Sequence, residues 1–316
     1  MKPTGDTIEA SCPDSGKGVS PATGLSVHES MLALATTRIE KIHKNHVYRD
    51  PWPDFQSFDV ALYSVEVRRE AAIQWAGRAR AEHGSVHQFS ELTHALCESR
   101  APLHLLGALT RLQTDEVRHA ELCAEMALAC YPEGTESEPL IFAWPPPEPQ
   151  WRDAPRAGAG RDDIAAIELW AAKALLSACC LGEALSRPML DAILMVSTDS
   201  VSKAVTTQIL RDEHLHATFG FEALAWLMER LTVSGKRELQ EFLRTSLASF
   251  ERSTACGISI SDIAESSITI EPGTQPNLGT LTKHQYAMIF FATLENEIFP
   301  KLAELGLDPI AAWSTR

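Results

Sequence analysis

The sequence has little of what marks proteins that bind nucleic acids or membranes. Its 28 lysines and arginines face 42 aspartates and glutamates, which leaves a formal net charge of −14 over 316 residues. Nucleic acids and anionic membrane surfaces select for basic patches, so we expect neither as a partner. No unbroken run of about 18 apolar residues occurs, and we therefore expect no membrane-spanning segment.

Cysteines are few and irregularly spaced. The seven include one adjacent pair, Cys179 and Cys180, and fit neither a disulfide framework nor a zinc-binding spacing. Several of them fall within helical patterns, where a free thiol acts as a small buried apolar side chain. These features predict a reducing, cytoplasmic compartment. Residues 1–25 have no apolar signal core and are expected to form a disordered tail.

What the sequence does have is helical periodicity over residues 26–316, which predicts a single all-α domain. A segment rich in proline and glycine, residues 131–160, separates two predicted helical hairpins. Long hairpins joined by a long crossover predict a four-helix bundle over about residues 60–232. Further helices precede it, and residues 233–316 form a C-terminal helical extension. The helices are predicted at about 26–46, 58–98, 102–131, 161–196, 199–232, 234–252 and 281–305.

Glu-x-x-His pairs are more frequent than composition predicts. Roughly one is expected by chance, and the chain has four, at Glu40/His43, Glu91/His94, Glu116/His119 and Glu213/His216. Only the last two pairs follow an aspartate, Asp115 in one and Asp212 in the other. Those two pairs also interrupt apolar stripes that predict core-facing helix surfaces.

Each of the other two long helices has one glutamate on its apolar stripe. These are Glu82, about 17 residues before the first predicted turn, and Glu183, about 15 residues before the second. At about 1.5 Å of rise per residue, all four glutamates should lie at one depth of the bundle. Burying bare carboxylates costs several kcal/mol, so this arrangement requires compensating charge.

Four carboxylates and two imidazoles at one depth predict a site for two transition-metal ions. One Glu from each of two helices and Glu-x-x-His from each of the other two form the ligand set of di-iron and di-manganese bundles. The donors favour iron or manganese over magnesium or calcium. The alternative is a set of buried polar pairs without metal. The predicted ligands are Glu82, Glu116, His119, Glu183, Glu213 and His216.

This pattern resembles the ferritin-like non-haem di-iron carboxylate proteins over about residues 60–232. The string "DEVRH" is most similar to their O2-activating branch, which includes monooxygenase hydroxylases, desaturases and N-oxygenases. The resemblance implies two iron ions, with manganese or a mixed pair as alternatives, and O2 as co-substrate. It also implies that Asp115 and Asp212 orient the ligating histidines. The alternative for both is a solvated acid.

Departures from individual branches narrow the resemblance. Cys123 stands where a ribonucleotide reductase subunit would carry a radical tyrosine, and Ile209 where an arylamine N-oxygenase would carry a third histidine. Rubrerythrins would add a Cys-x-x-Cys site, and ferritins are about half as long. The resemblance also suggests that Ser186 helps deliver protons to the metal site. The alternative is that Ser186 is only a small residue that the core tolerates. Pro188 is expected either to kink the third helix and widen the site or to end that helix.

The leading hypothesis is an enzyme that uses O2 to hydroxylate, N-oxygenate or desaturate a small organic substrate. Electrons would come from a separate ferredoxin or flavin reductase, because the chain has no nucleotide-binding glycine motif. A homodimer is left open. The alternatives are a ferroxidase with the same ligands and no organic substrate, and a non-catalytic helical binding protein.

Overall fold

The computed structural model describes residues 25–26, 38–49, 51–131, 141–142, 154–155, 161–265, 269–273 and 275–316. Most of the predicted tail over residues 1–25 and of the crossover over 131–160 lies outside these ranges. The described chain is all-helical apart from one antiparallel pairing of two-residue strands, β1 (Leu25–Ser26) and β2 (Ile141–Phe142). The prediction of an all-α protein is confirmed. The first described helix is Arg38–Val47, and residues 27–37 of the helix predicted over 26–46 lie outside the described ranges.

The described helices follow the predicted order, with two short additions that the sequence analysis did not predict, Ile260–Glu265 and Pro309–Ser314. They are α1 (Arg38–Val47), α2 (Val65–Glu98), α3 (Leu103–Cys130), α4 (Arg161–Ala174), the π-helical segment Leu175–Glu183, α5 (Ala184–Val196), α6 (Ser200–Met228), α7 (Val233–Thr254), α8 (Ile260–Glu265), α9 (Lys283–Thr293), a second π-helical segment Leu294–Ile298, α10 (Phe299–Glu304) and α11 (Pro309–Ser314). Two short 3-10 turns, Phe55–Ser57 and Val60–Leu62, lie between α1 and α2.

Capping groups define the ends of the long helices where the sequence indicated turns. Pro102 stands at the N-cap position of α3, where its lack of a backbone N–H costs no hydrogen bond. Asp199 caps α6, and its carboxylate accepts a hydrogen bond of 2.8 Å from the backbone N–H of Ser202. Helix α2 packs along α3, and α6 packs against α3, α5 and the first π-helical segment.

The third long helix runs without a break from α4 through the π-helical segment into α5. Pro188 lies inside α5, which continues to Val196, so the expectation that this proline ends the helix is wrong. The local widening of the helix precedes the proline, since the π-helical segment ends at Glu183. A π-helical turn is often found at a functional site, because the extra residue re-aims the side chains around it.

This third helix bears on the expectation that no segment spans a membrane. Within the described ranges, Asp163–Val196 is long and apolar enough to cross a membrane by length and composition, and just over half of its apolar window is buried. Few charged residues interrupt the window although it contains no long unbroken apolar run. The same helix contributes buried leucines and cysteines to the core between α6 and α7.

The C-terminal segment packs onto the bundle. The indole N–H of Trp75, on α2, donates a hydrogen bond of 2.7 Å to the backbone carbonyl of Leu278. Gly279 follows with φ +83°, and a Cβ there would lie 2.9 Å from the Trp75 ring, so glycine allows this close approach.

Cys256 is disulfide-bonded, which contradicts the expectation that no cysteine is paired.

Candidate metal centre

The six predicted ligands come from four long helices that surround one buried region: α2, α3, the third long helix and α6. Helix α2 contributes Glu82, the end of the π-helical segment contributes Glu183, and α3 and α6 each contribute one Glu-x-x-His pair. The side chains of both pairs are at most 1% exposed. Glu82 and Glu183 have side chains that are 19% and 13% exposed, so they form the solvent-facing edge of the cluster.

Two groups of three donors are close enough to hold a metal ion each. The first consists of Glu82, Glu116 and His119, and the second of Glu116, Glu183 and His216. Within each group, the potential ligand atoms lie within 4.8 Å of one another. Glu116 belongs to both groups, which is the position of a carboxylate that bridges two ions.

Glu213 completes the set from the opposite helix. Its Oε1 lies 3.8 Å from His119 Nδ1, and Glu82 Oε2 lies 3.9 Å from the same nitrogen. On the other side, His216 Nδ1 lies 3.0 Å from Glu116 Oε1 and 3.2 Å from Glu183 Oε2. The structure therefore brings all six predicted residues together.

The centre contains buried polar atoms that lack hydrogen-bond partners among the described residues. They include Glu116 Oε2, Glu213 Oε2 and His119 Nδ1. Buried polar groups in native proteins are nearly always paired, and an unpaired carboxylate oxygen in a dry core is costly. Oxygen and imidazole nitrogen atoms that face one another without an intervening donor fit a bound transition-metal ion.

The electrostatics of the centre agree with a missing positive charge. Burial, together with the charges of Glu183 and Glu82, raises the pKa of Glu116 well above its usual 4.5. Burial also raises the pKa of Glu213, where Glu183 and Glu82 add to it and His216 opposes it. Without a cation, both carboxyl groups are therefore harder to ionise than a glutamate in water. A bound metal ion would favour their ionised form.

The two aspartates contact the histidines crosswise. Asp212 Oδ2 lies 3.2 Å from His119 Nε2, within hydrogen-bonding distance. Asp115 Oδ2 lies 3.7 Å from His216 Nε2, which is too far for a direct hydrogen bond. Asp115 is 1% and Asp212 4% exposed, so the alternative that they are solvated acids is wrong. Each aspartate faces the Nε2 atom of its histidine, whereas the Nδ1 atom of that histidine faces the glutamates.

A cluster of arginines that the sequence analysis missed surrounds the two aspartates. The buried guanidinium of Arg118 donates to Asp212 Oδ2 at 2.6 Å and also contacts Asp115. Arg111 donates to Asp115 Oδ2 at 3.0 Å, and Arg49 contacts Asp212. Burial opposes ionisation of Asp115, but His216, Arg111 and Arg118 outweigh it and lower the pKa of this aspartate. Both aspartates therefore stay charged beside the imidazoles.

One signal in the sequence could have indicated this cluster. Arg118 lies inside the motif "DEVRH", three residues after Asp115, and Arg111 lies four residues before it. Residues three or four apart share one face of a helix, so both guanidinium groups could reach the aspartate. No local pattern predicts the contact of Arg49, because the loop after α1 brings this residue to α6.

The other two Glu-x-x-His pairs lie elsewhere and have different partners. The Nε2 atom of His43 lies 2.8 Å from Glu121 Oε1, and that of His94 lies 3.7 Å from Glu98 Oε1. The partly exposed side chain of Glu40 lies 3.0 Å from the Lys44 ammonium. Both pairs therefore lie outside the centre, and Glu91/His94 does so in agreement with its phase on the helix.

A cleft of about 570 Å³ opens beside the centre. Glu82 and Glu183 line its inner end, and Ser186 lies next to them on the wall. Helix α7, whose role the sequence did not indicate, forms the opposite wall. Clefts of roughly 300–1,000 Å³ are typical of small-molecule sites.

No model of a known protein family matches the chain, and neither does any curated protein or solved structure.

Proposed function

We propose that the protein is a di-iron oxidoreductase with a ferritin-like four-helix bundle, which uses O2 to oxidise a small organic molecule. The observation that supports it most strongly is the shared position of Glu116 between two groups of potential ligands in a dry core. A single metal ion would not require a carboxylate in both groups. Glu82, His119, Glu183, Glu213 and His216 are the proposed remaining ligands.

The helical packing supports the bundle part of the proposal. Helices α2 and α3 form one antiparallel hairpin, and the third helical run and α6 form the other. In ferritin-like bundles the second hairpin follows a long crossover, and residues 131–160 are long enough for one.

Iron is the proposed metal, with manganese or a mixed pair as alternatives, because imidazole and carboxylate donors suit these ions. When bound, two iron ions would supply the redox chemistry of O2 reduction, with electrons from a separate ferredoxin or flavin reductase. Asp212 would hold the His119 ring in position through its Nε2 atom. Arg118 would keep that aspartate charged in a region from which water is excluded.

The cleft favours an oxidase of organic molecules over a ferroxidase. A ferroxidase needs a path for iron, whereas a cleft of this volume can accommodate an organic molecule next to Glu82 and Glu183. Ser186 lies on the cleft wall, where its hydroxyl group could pass protons to the centre. The unpaired buried atoms of Glu116, Glu213 and His119 favour a metal site over buried polar pairs without metal, since native structures rarely leave such atoms unpaired. The cytoplasmic location and the lack of nucleic-acid and membrane partners remain proposals.

The test follows the fate of iron and of O2. The protein is loaded with ferrous iron under anaerobic conditions, reduced and mixed with O2, with and without candidate organic substrates. The proposal predicts O2 consumption in proportion to the bound metal pair, retention of the iron and an oxidised organic product. Turnover of hundreds of irons per chain, with ferric mineral and no organic product, would support the ferroxidase instead.

A further inference from the structure

The cleft beside the candidate centre has a composition that restricts what it can bind. Its walls come from α2, from the third helical run and from α7. Seven of its fifteen lining residues are serine or threonine, and Gln88 adds an amide. Acyl chains and other wholly apolar molecules would cover these hydroxyl groups without offering donors to their free lone pairs, at a cost in binding free energy.

Several of the hydroxyl groups already use their proton. Thr245 Oγ1 donates to the backbone carbonyl of Phe242 at 2.9 Å, and Ser253 Oγ donates to that of Phe250 at 3.2 Å. Ser85 on the facing helix donates to the carbonyl of Ala81 at 3.3 Å. Each of these oxygens retains lone pairs that can accept a hydrogen bond. The cleft therefore offers acceptors, which match a ligand rich in O–H or N–H donors.

The apolar part of the cleft is concentrated on α7. Phe242 and Phe250 lie eight residues apart on this helix, which is close to two helical turns, and both line the cleft while packing partly against the core. Their rings can cover one apolar ring or short chain of a ligand.

Charge excludes another class of ligand. Among the described residues, no lysine, arginine or histidine lines the cleft, and its acidic residues are Glu82 and Glu183 at the inner end. An anionic ligand would therefore lose hydration in the cleft without gaining a lysine, arginine or histidine as a counter-charge. Metal ions at the centre would neutralise the two glutamates, so the loaded cleft would have little net charge and no preference for a cation.

From these features we infer that the organic substrate is an uncharged molecule with several O–H or N–H donors and one apolar or aromatic ring. This inference rests on the proposed function and specifies the substrate class of the same site. It assigns a role to the C-terminal extension, because α7 supplies both phenylalanines and most of the hydroxyl groups on one wall. Acyl chains and carboxylate substrates are excluded.

The test compares two probes that differ in one group. Phenyl β-glucoside is uncharged and carries four hydroxyl donors and an aromatic ring, whereas phenyl β-glucuronide has a carboxylate in place of one hydroxymethyl group. Titration calorimetry on iron-loaded, anaerobic protein should show the glucoside binding at least about tenfold more tightly, which corresponds to about 1.4 kcal/mol. Equal or tighter binding of the glucuronide, or no binding of the glucoside at millimolar concentration, would overturn the inference.

A variant pair locates the binding. Ser249→Leu extends an apolar side chain into the cleft and should weaken glucoside binding by about tenfold or more. Ser234→Leu changes an exposed residue near the start of the same helix and should leave binding unchanged. Equal effects of the two substitutions would show that the probe binds elsewhere, against the inference.

Iron content is measured on the same samples. Two irons per chain without the expected probe preference would refute the substrate class and leave the proposed function intact. Glucoside binding with the expected preference but without stoichiometric iron would refute the proposed function instead. Circular dichroism of each variant checks that the helices are retained.

Discussion

At Gly220, α6 packs closely against the π-helical segment. A Cβ at this glycine would lie 2.5 Å from Cys179 Cβ, 3.0 Å from the Cys179 carbonyl carbon and 3.1 Å from the Cys180 nitrogen. Two of these three atoms are backbone, which cannot rotate away as a side chain can. Gly220 lies one turn after His216, and Cys179 one turn before Glu183, so this contact supports one side of the centre.

Gly220→Ala should therefore destabilise the protein. Ordinary carbon contacts are about 3.5–4.0 Å, so the helices would have to separate by roughly 1 Å. Overpacking of this kind costs about 1–3 kcal/mol, and the upper end applies because the blocking atoms are backbone. Alanine regains up to about 1 kcal/mol of helix propensity relative to glycine. The net loss should be about 2 kcal/mol, or roughly 3 °C in Tm for a chain of this length.

The assay is thermal and chemical denaturation of Gly220→Ala beside Gly84→Ala. Gly84 lies inside α2, and a Cβ there would have no neighbour within 4 Å. The control should be neutral or more stable by up to about 1 kcal/mol, since only helix propensity changes. If the two variants had the same stability, the close packing of α6 on the π-helical segment would be refuted.

Three further predictions concern the charges of the centre. Arg118→Met removes the buried cation that contacts both Asp115 and Asp212, and should lower the free energy of unfolding by denaturant by about 3–5 kcal/mol. Arg111→Met removes a side chain that is 41% exposed and should cost about 1 kcal/mol or less. Equal losses would contradict the role of Arg118 as the main counter-charge of the two aspartates. In metal-free protein, the pKa values of Glu116 and Glu213 are raised, so the folded state binds more protons than the unfolded state. The free energy of unfolding should therefore fall as the pH rises above 4.5. An unfolding free energy that stays constant from about pH 5 to 8 would contradict this. Asp212→Asn should weaken metal affinity about 10–100-fold, measured by competition with a chelator, and unchanged affinity would show that this carboxylate does not position His119.

The periodicity of the sequence was sufficient to predict the long helices and to select the six residues that the structure brings together in the candidate centre. Polar residues on an apolar stripe must face the core, and their distances from the turns place them at one depth. This reasoning separated Glu116 from Glu91, although both begin a Glu-x-x-His pair. It works because side-chain direction on a straight helix depends only on position.

Features that depend on contacts between distant segments could not be predicted in this way. The π-helical segment adds a residue to a turn next to Glu183, and its close contact with Gly220 of α6 joins residues about 40 positions apart, which periodicity does not indicate. Arg49 reaches Asp212 from a loop whose course no helical pattern indicates. The cleft wall on α7 arises because the C-terminal helices pack back onto the bundle, which periodicity alone does not specify.

The most direct test of the central claim is the metal content of protein loaded anaerobically with ferrous iron and freed of excess metal. The account predicts about two irons per chain. Glu116→Ala should lose both ions, because this carboxylate belongs to both groups of ligands. Glu91→Ala, in a Glu-x-x-His pair outside the centre, should keep both. Fewer than one iron per chain in the unmodified protein, or equal losses in the two variants, would contradict the account.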